Sequence, residues 1–541
     1  MTNLRNNLDF IATLFFEAGV TNWIVSPGSR NAPIVAGFIR HGGFTLHSFP
    51  DERAAAFAAM GMSIASQYPC GVICTSGTAA ANFYPAVCEA FYQRVPMVVV
   101  TADRPEYLID QWDGQTIHQK DIYKPHIRSS INIDANEEDF LELESTIYDA
   151  VKSAQFPVTG PVHINIALED PIYSEIDQPF YQTQPSKPFI YHHAVTPPVP
   201  ADLIQKILSN KHIPANPKIL ILVGQHHPSE SLSSALSLIQ NKFPTLCDIC
   251  SHQIEYGLQQ WDLALTSEGF KEELLPDILV TVGMAMISKP LKKALTNAKL
   301  THLHIAESGE VGNPFHTIPI ILTHHDADFL TALYLHSEEN ESYLNLWKQT
   351  TTKANTKKFE GHYLQEFNAV KLIMEQSSES MALHFGNSMS IRYASWVGST
   401  KAKVFGNRGT SGIDGSLSTA AGYAIANPNT TTVCTLGDIS FIYDAHGMWT
   451  TQFPPNLKIV VLNNKGGQIF NWIDGPSKEP KMMPFIETPQ DYNISKLCDF
   501  YKVEHQSTEN LTMDIYNNFI TGNIQCLEIV LKSLQNNSYH A

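Results

Sequence analysis

Polar side chains follow two neighbouring apolar runs in the last third of the chain, where strands of a sheet would end. The run 432–436 is followed by Gly437-Asp438, and the run 459–462 is followed by two asparagines, Asn463 and Asn464, and then Lys465-Gly466-Gly467. In a doubly wound parallel sheet, ligands bind outside the carboxyl ends of the strands, so Asp438 and Asn464 are expected to converge. Carboxylate and amide oxygens suit Mg²⁺, which completes its shell with phosphate and water. The pair therefore predicts a site for Mg²⁺ with a diphosphate.

These residues also have a plainer interpretation. Gly-Asp and Asn-Gly pairs most often mark ordinary turns. The glycines at 466 and 467 would let the backbone approach a ligand closely, so that a carbonyl there could serve as a third metal ligand, but glycine is equally a turn residue. Taken alone, the two strand ends leave the turn and the metal site both open.

The elements that would position these residues follow from the pattern of the whole chain. Short apolar runs alternate with longer helical patterns, which predicts an α/β protein of three doubly wound parallel-sheet domains. A proline-rich segment at 171–201 and a polar segment at 338–358 predict the breaks between domains 1–180, 200–337 and 359–541. The predicted strands are 22–25, 71–75, 97–101, 162–166, 218–223, 278–282, 300–305, 381–385, 403–405, 432–436, 458–462 and 526–531.

Composition excludes several classes of function. The formal net charge of -17, without a basic patch, argues against a nucleic-acid partner. The apolar runs are far shorter than the roughly 20 residues that span a bilayer, and the N-terminus lacks the features of a signal peptide, so a cytoplasmic protein without a membrane span is expected. Eight cysteines are too sparse for a disulfide scaffold. Cys247 and Cys250 are expected to be structural thiols. The alternatives are a redox pair or a zinc site, and a zinc site needs two further ligands.

Glu52, in the predicted domain 1–180, belongs to a larger pattern together with the two strand ends at Asp438 and Asn464. Glu52 stands in Asp51-Glu52-Arg53, ahead of a helical pattern of small residues at 54–65. Taken alone, Glu52 is interpreted as an acid that caps the start of a helix or interacts favourably with its dipole. A Gly-Asp pair followed one strand later by Asn-Asn, however, resembles the metal-diphosphate motif of thiamine-diphosphate enzymes. Those enzymes also use a glutamate from a separate pyrimidine-binding domain, and Glu52 is the candidate.

Further motifs narrow this resemblance. They are Ser26-Pro27-Gly28-Ser29-Arg30, Asp51-Glu52-Arg53, Thr75-Ser76-Gly77-Thr78-Ala79, Thr101-Ala102-Asp103-Arg104-Pro105, Asn407-Arg408-Gly409, Ser411-Gly412-Ile413-Asp414-Gly415 and Asn463-Asn464 running on to Gln468-Ile469-Phe470. In this order the set resembles the 2-succinyl-5-enolpyruvyl-6-hydroxy-3-cyclohexene-1-carboxylate synthase family of menaquinone biosynthesis. The resemblance spans almost the whole chain and is weakest in the middle unit. Ile439 stands where thiamine enzymes commonly have glycine.

The resemblance implies a fold, a reaction and an assembly. It implies the thiamine-diphosphate-binding fold, with thiamine diphosphate and Mg²⁺ or Mn²⁺ as cofactors. The implied transferase decarboxylates 2-oxoglutarate and adds the resulting succinic-semialdehyde carbanion equivalent to isochorismate. Because members of this class hold the two ends of the cofactor with different subunits, it also implies a homodimer or homotetramer.

Roles for individual residues follow from the same resemblance. Glu52 would be catalytic and hydrogen-bond the pyrimidine ring of the cofactor. Asp438, Asn464 and the carbonyl of Gly466 would hold the metal. The cofactor would also contact Asn387, Ser388, Ser411, Ile413, Gly437, Ser440 and Ile469. The substrates would meet Ser29, Arg30, Arg104, Gln115, Lys289, Arg392, Arg408, Ile469, Phe470 and Ile473. For Lys289, an ordinary surface lysine is nearly as good an interpretation.

The distribution of arginine points the same way. The chain has only nine arginines, and five of them lie in or beside the motif segments: Arg30, Arg53, Arg104, Arg392 and Arg408. A guanidinium binds a carboxylate through two parallel hydrogen bonds, so the group predicts substrates with several carboxylates. Each arginine taken singly is consistent with a surface ion pair. The cluster favours the synthase over an acetolactate synthase or a 2-oxoacid decarboxylase, while intact Glu52 and Asp438 argue against a non-catalytic α/β protein.

Overall fold

A computed structural model describes residues 2–136, 139–169, 179–191, 196–472 and 478–531. Within these ranges the strands form three sheets, and every pair of neighbouring strands is parallel. Helices connect the strands throughout. The predicted α/β class with three parallel-sheet units is thereby confirmed. The domain limits 1–180, 200–337 and 359–541 remain predictions, because the break at 171–201 lies partly outside the described residues.

The first sheet has six strands. They are β1 (Asn22–Val25), β2 (Thr45–Ser48), β3 (Cys70–Cys74), β4 (Met97–Asp103), β5 (Ser130–Asp134) and β6 (Pro161–Ala167), in the order β2-β1-β3-β4-β6-β5. Its helices are α1 (Thr2–Glu17), α2 (Ala32–His41), α3 (Glu52–Ser66), α4 (Thr78–Asn82), α5 (Tyr84–Gln93) and α6 (Phe140–Ser153), with a 3-10 turn at Glu106–Leu108.

The second sheet has five strands. They are β7 (Ile219–Val223), β8 (Thr245–Cys247), β9 (Ile278–Val282), β10 (Thr301–Ile305) and β11 (Pro319–Leu322), in the order β11-β10-β9-β7-β8. Its helices are α7 (Leu203–Leu208), α8 (Glu230–Ile239), α9 (Trp261–Glu268), α10 (Lys289–Leu295), α11 (Asp326–His336) and α12 (Glu341–Thr351), with 3-10 turns at Ile249–Ser251, Ile254–Tyr256 and Glu272–Leu274.

The third sheet repeats the strand order of the first. Its strands are β12 (Met381–Phe385), β13 (Lys403–Phe405), β14 (Thr431–Gly437), β15 (Leu457–Asn463), β16 (His505–Thr508) and β17 (Cys526–Val530), in the order β13-β12-β14-β15-β17-β16. Its helices are α13 (Gly361–Glu375), α14 (Met389–Val397), α15 (Ser416–Ala426), α16 (Asp438–Tyr443), α17 (Ile469–Trp472), α18 (Met483–Ile486), α19 (Ile494–Phe500) and α20 (Met513–Thr521), with a 3-10 turn at Ala445–Met448.

The central strands are buried along their whole length. Every residue of β4, β7 and β15 is buried. Helices cover both faces of a parallel sheet, so its inner strands are nearly continuous apolar runs rather than alternating ones. This is why the sequence pattern located them.

Helix α12 falls inside the segment that was predicted to separate the second and third units. Its side chains Tyr343, Leu344 and Trp347 are buried. Trp347 packs in one cluster with Leu220 of β7 and Leu279 of β9. The packing of the middle unit therefore extends beyond residue 337, because this polar stretch carries an apolar face on one side of a helix.

Helices α3 and α15 bring the first and third units into close contact. A Cβ atom on Gly61 would lie 2.0 Å from the carbonyl oxygen of Thr419, and one on Gly422 would lie 1.8 Å from that of Ala58. Real Cβ atoms do not approach backbone this closely, so each position requires glycine. The two helices therefore meet backbone to backbone.

Two expectations from composition can be set beside the structure. Cys247 and Cys250 are both buried, and burial raises the pKa of each thiol. Among the described residues, the group of side chains suited to a metal ion is Glu307, His325 and Asp326, which includes neither cysteine. No helix in the described ranges is both long enough and apolar enough to cross a bilayer.

Candidate active site

The polar residues predicted at two strand ends lie together at the carboxyl edge of the third sheet. Strand β14 ends directly before Asp438, and β15 ends directly before Asn464. The two strands pair with Gly437 level with Leu462. Asp438 and Asn464 consequently line one pocket of about 290 Å³. Ligands of doubly wound sheets bind in such crevices at the carboxyl ends of the strands.

Asp438 is a buried carboxylate. It is 1% exposed, and one of its oxygens accepts a hydrogen bond from the side chain of Gln490. Burial raises the pKa of Asp438, while hydrogen bonds from Gln490 and from backbone N–H groups lower it. Within the described residues, no lysine, arginine or histidine forms an ion pair with it. A buried carboxylate that no cationic side chain neutralises is a good ligand for a bound cation, because buried charges need a partner of opposite sign.

Asn464 offers an unused oxygen to the same pocket. Its Nδ2 donates to Oε1 of Glu366 at 2.7 Å. Its Oδ1 is buried and has no hydrogen-bond partner among the described residues. A buried polar atom is costly unless it is paired, so this oxygen points to a ligand that the protein itself does not supply.

The loop after Asn464 brings backbone to the pocket. Gly466 has a φ of +150°, a conformation that side chains disfavour. A Cβ atom there would lie 3.1 Å from the carbonyl oxygen of Glu487. Gly466 and Gly467 both line the pocket, so the glycines let the main chain approach a ligand. The loop can present a carbonyl oxygen beside Asp438 and Asn464.

A helix N-terminus forms another wall. Asn387, Ser388 and Met389 line the pocket at the start of α14, a nine-residue helix. Ser388 has a φ of +76°. Free N–H groups and the helix dipole favour an anion at such a position. This wall suits the phosphate end of a ligand.

Five further residues of the pocket lining were named from the sequence: Ile413, Gly437, Ser440, Ile469 and Phe470. Ser440 donates a hydrogen bond to the carbonyl of Ile413 at 2.6 Å, and the Ile413 side chain is 38% exposed beside the pocket. Ile469 and Phe470 supply an apolar wall. Ser411 is not among the lining residues, although it lies two positions from Ile413. Ile473 lies outside the described residues.

Cationic side chains gather between the second and third units. Arg408 donates to Oδ1 of Asn387 at 2.6 Å, which connects it to the pocket wall. Burial and the positive charge of Arg392 lower the pKa of Lys289. Burial and Arg408 lower the pKa of both Lys292 and Arg392. In the described part of the chain, Lys289, Lys292 and Arg392 form no ion pair with a carboxylate. Asp248 and Asp262 lie nearby and offset part of this positive charge, and the cations that form no ion pair can bind an anion.

Glu52 lies elsewhere in the chain. It is the first residue of α3, whose start is capped by Asp51 through a hydrogen bond from the N–H of Ala54. Asp51 also contacts His446 at 2.7 Å. Glu52 is not among the residues that line the pocket of Asp438. The chain on its own therefore does not bring the predicted acid to the predicted metal ligands.

The other first-unit candidates stay near the first sheet. Arg30 is 4% exposed and donates to the carbonyl oxygen of Leu168 at 2.9 Å. Arg104 forms an ion pair with Asp113 at 2.8 Å. Gln115 has a φ of +59°, and Ser29 precedes Arg30 in the loop after β1. None of these four lines the pocket of Asp438.

Sequence reasoning missed several residues of this site. Those that also line the pocket include Ser390, Leu462, Gln468, Ile486, Glu487 and Thr488. Three other polar residues support the predicted ones. Glu366 and Gln490 hold the side chains of Asn464 and Asp438, and Lys292 joins the cation cluster. Each is a single polar residue without a motif around it. Lys292 alone carried a usable signal, since it lies one helical turn after Lys289.

Known proteins resemble the chain over nearly its whole length. The family profile described as thiamine pyrophosphate enzyme, N-terminal TPP binding domain, matches residues 6–122. A 2-succinyl-5-enolpyruvyl-6-hydroxy-3-cyclohexene-1-carboxylate synthase of Cytophaga hutchinsonii is 36% identical over 518 residues, covering 93% of this chain and 91% of the relative.

Two further relatives carry the same name. The protein of Flavobacterium johnsoniae is 32% identical over 529 residues, covering 92% of this chain and 91% of the relative. The protein of Bacteroides thetaiotaomicron is 34% identical over 487 residues, covering 87% of this chain and 84% of the relative.

Proposed function

This chain belongs to the 2-succinyl-5-enolpyruvyl-6-hydroxy-3-cyclohexene-1-carboxylate synthase family, and we propose that it catalyses the reaction for which that family is named. The reaction joins 2-oxoglutarate, with loss of CO₂, to isochorismate in menaquinone biosynthesis. The observation that carries the proposal is one pocket that contains both Asp438 and Asn464. Among the described residues, the buried carboxylate of Asp438 forms no ion pair, and Oδ1 of Asn464 has no hydrogen-bond partner.

The residues of this pocket fit thiamine diphosphate with Mg²⁺ or Mn²⁺. Asp438, Asn464 and the Gly466 carbonyl offer only oxygen ligands, which these ions prefer. The start of α14 at Asn387 and Ser388, together with Ser440, would bind the diphosphate. When bound, thiamine diphosphate supplies a nucleophilic carbon and a sink for the electron pair released with CO₂. The chain's part is to hold, orient and shield it.

Glu52 is proposed as the catalytic acid that hydrogen-bonds the pyrimidine ring. It does not line the pocket of Asp438 within one chain, so the proposal places it against the pocket of a second copy. That requires a homodimer, or a homotetramer built from such dimers. The proposed pyrimidine-binding domain is 1–180, the central domain is 200–337 with helix α12 packed against it, and the diphosphate- and metal-binding domain is 359–541.

The substrate carboxylates are proposed to bind the cation cluster. Arg392 and Arg408 present guanidinium groups and Lys289 adds a point charge, which together suit two dicarboxylates. Burial strengthens such contacts because little water screens them. From the first domain, the proposed contacts are Arg30, Arg104, Ser29 and Gln115. Arg104 would have to exchange Asp113 for substrate.

Apolar surface completes the proposed site. Ile469 and Phe470 would pack against the ring of isochorismate and exclude water from it, and Ile413 would support the cofactor from below. Ile473 and Ser411 are retained as proposed contacts from the family resemblance. We propose that the reaction takes place in the cytoplasm. The net charge of -17 argues against a nucleic-acid partner, and small anionic substrates would be held by the local cations.

Release of CO₂ tests the proposal. The protein is stripped of thiamine diphosphate and divalent metal, and CO₂ formation from 2-oxoglutarate is measured with and without isochorismate after each is restored. We expect product formation only when both cofactors and both substrates are present. Asp438→Asn should abolish it, whereas the same change at the exposed Asp514 should not. Equal CO₂ release without isochorismate, or turnover in stripped protein, would contradict the proposed synthase.

A further inference from the structure

A buried glutamate from a distant helix contacts the proposed metal site. Glu366 lies on α13, 98 residues before Asn464, and is 1% exposed. Its Oε1 accepts a hydrogen bond from Nδ2 of Asn464 at 2.7 Å. Its Oε2 accepts one from the hydroxyl of Tyr393 on α14. Both oxygens of the carboxylate are thus engaged from opposite sides.

This contact selects one orientation of the Asn464 amide. An amide has a donor end, Nδ2, and an acceptor end, Oδ1, and the donor end is the one that faces Oε1 of Glu366. Turning the amide over would place Oδ1 against Oε1 of Glu366 and lose the hydrogen bond that Nδ2 now donates. Glu366 therefore directs Oδ1 away from itself, and that oxygen is the buried atom without a partner among the described residues.

The preceding asparagine provides a comparison within the same strand end. Asn463 also donates through Nδ2 to a glutamate, Oε1 of Glu528, at 2.6 Å. Its Oδ1 accepts from the backbone N–H of Lys465 at 3.2 Å. Both ends of Asn463 are satisfied within the protein. Of the two adjacent Glu–Asn pairs, only the pair with Asn464 leaves an oxygen available to a ligand.

We propose that Glu366 is a positioning residue that holds the amide of Asn464 with its oxygen toward the metal, and that Tyr393 fixes the carboxylate in turn. The inference deepens the proposed function and rests on it, because Asn464 is a metal ligand only under that proposal. Groups that orient metal ligands in this way commonly change metal affinity about 10–100-fold when they are removed.

Binding of Mn²⁺ tests the role without relying on turnover. Free Mn²⁺ is measured by electron paramagnetic resonance in the presence of saturating thiamine diphosphate and no substrate. Glu366→Leu has similar size but cannot accept a hydrogen bond, and we expect Mn²⁺ to bind about 10–100-fold more weakly. Glu366→Gln can still accept from Asn464 through Oε1, so its affinity should lie much nearer to that of the wild type.

The matched control is Glu528→Gln, which alters the adjacent Glu–Asn pair. Its Mn²⁺ affinity should stay within about twofold of the wild type, since Asn463 offers no oxygen to the pocket. If Glu366→Leu fails to fold, Tyr393→Phe replaces it. Loss of that hydroxyl frees the carboxylate of Glu366, so weaker Mn²⁺ binding is expected and unchanged binding overturns the inference.

A double-mutant comparison separates positioning from general destabilisation. In an Asn464→Ala background the amide is absent, so Glu366→Leu should weaken Mn²⁺ binding no further. An equal loss with and without Asn464, or wild-type affinity in Glu366→Leu, overturns the inference. If the wild-type protein itself fails to bind Mn²⁺ with thiamine diphosphate, the metal site of the proposed function fails instead.

Discussion

The carbonyl oxygen of Ala58 on α3 lies only 1.8 Å from the point where a Cβ atom on Gly422 of α15 would be. Helix α3 begins at Glu52, and α15 follows the loop that contains Ile413. A close backbone contact between the first and third units thus lies between two helices that adjoin proposed site residues. Its closeness depends on the absence of a single side-chain atom.

Gly422→Ala should therefore destabilise the protein. The added methyl group has to displace the backbone of α3, and overpacking of this kind costs about 1–3 kcal/mol or more. We expect a lower midpoint of thermal unfolding. The control is Gly312→Ala, since nothing lies within 4 Å of a Cβ atom at that position. Equal midpoints for the two variants would mean that α3 and α15 are not held this closely.

A buried histidine makes stability depend on pH. His384 is 3% exposed and stacks on Phe405 with ring centres 4.9 Å apart, and burial lowers its pKa from 6.5 to about 3. Between pH 6.5 and 3 the unfolded chain takes up a proton there that the folded chain does not. Stability is therefore lost as pH falls below 6.5, by about 2 kcal/mol at pH 5 for this group.

His384→Phe should remove that part of the pH dependence while it keeps an aromatic ring on Phe405. Urea unfolding at pH 7.5, 6.5 and 5.0 measures the effect, and the variant should lose about 2 kcal/mol less than the wild type between pH 7.5 and 5.0. His316→Gln, at an exposed position, is the control and should follow the wild type. Parallel curves for His384→Phe and the wild type would contradict a neutral buried His384.

Arg392 is predicted to anchor a substrate carboxylate. Its guanidinium is mostly buried, and burial together with the nearby Arg408 lowers its pKa. Arg392→Ala should raise the apparent KM for isochorismate or 2-oxoglutarate about tenfold or more, the usual loss for a hydrogen bond to a charged group. Lys293→Ala, on the exposed side of α10, should leave both KM values near the wild type. A change in thermal stability alone would contradict the anchoring role.

The fold could be predicted from the sequence except at the edges of the sheets. All of the strands predicted from apolar runs are present, with ends shifted by at most about two residues. The strands that were missed are β2, β5, β8, β11 and β16, and each lies at an edge. Most of them are partly exposed and carry mixed polar residues, as in the sequence His505–Thr508 of β16. β8 is buried but only three residues long.

The candidate site could be predicted only where position along a strand determines position in space. Asp438 and Asn464 meet because their strands are neighbours in a parallel sheet. Glu366 could not be found in this way, because its contact with Asn464 depends on how α13 packs across the sheet. The family motifs point to Glu52, which does not line the pocket of Asp438 within one chain. Its place against the pocket of a second chain is a proposal that the sequence pattern alone could not supply.

Mixing two inactive variants tests whether the site is shared between chains. Glu52→Gln should keep the fold and bind thiamine diphosphate but lose turnover, and Asp438→Asn should lose turnover through the metal. If one chain supplies Glu52 and its partner supplies Asp438, a mixed dimer contains one intact site and one doubly altered site. Random reassembly of equal amounts should then restore about a quarter of the wild-type activity.

The same experiment contradicts the shared site if activity stays absent. When Glu52 and Asp438 of one chain serve the same site, every site in the mixture carries one of the two substitutions, and no assembly is active. A doubly altered chain, Glu52→Gln with Asp438→Asn, mixed with the wild type is the control. If each site is shared between two chains, a dimer of the doubly altered chain with the wild-type chain carries one substitution in each of its two sites. Such dimers therefore contribute no activity. An affinity tag on one variant, with detection of the untagged chain in the tagged fraction, confirms that the chains have exchanged.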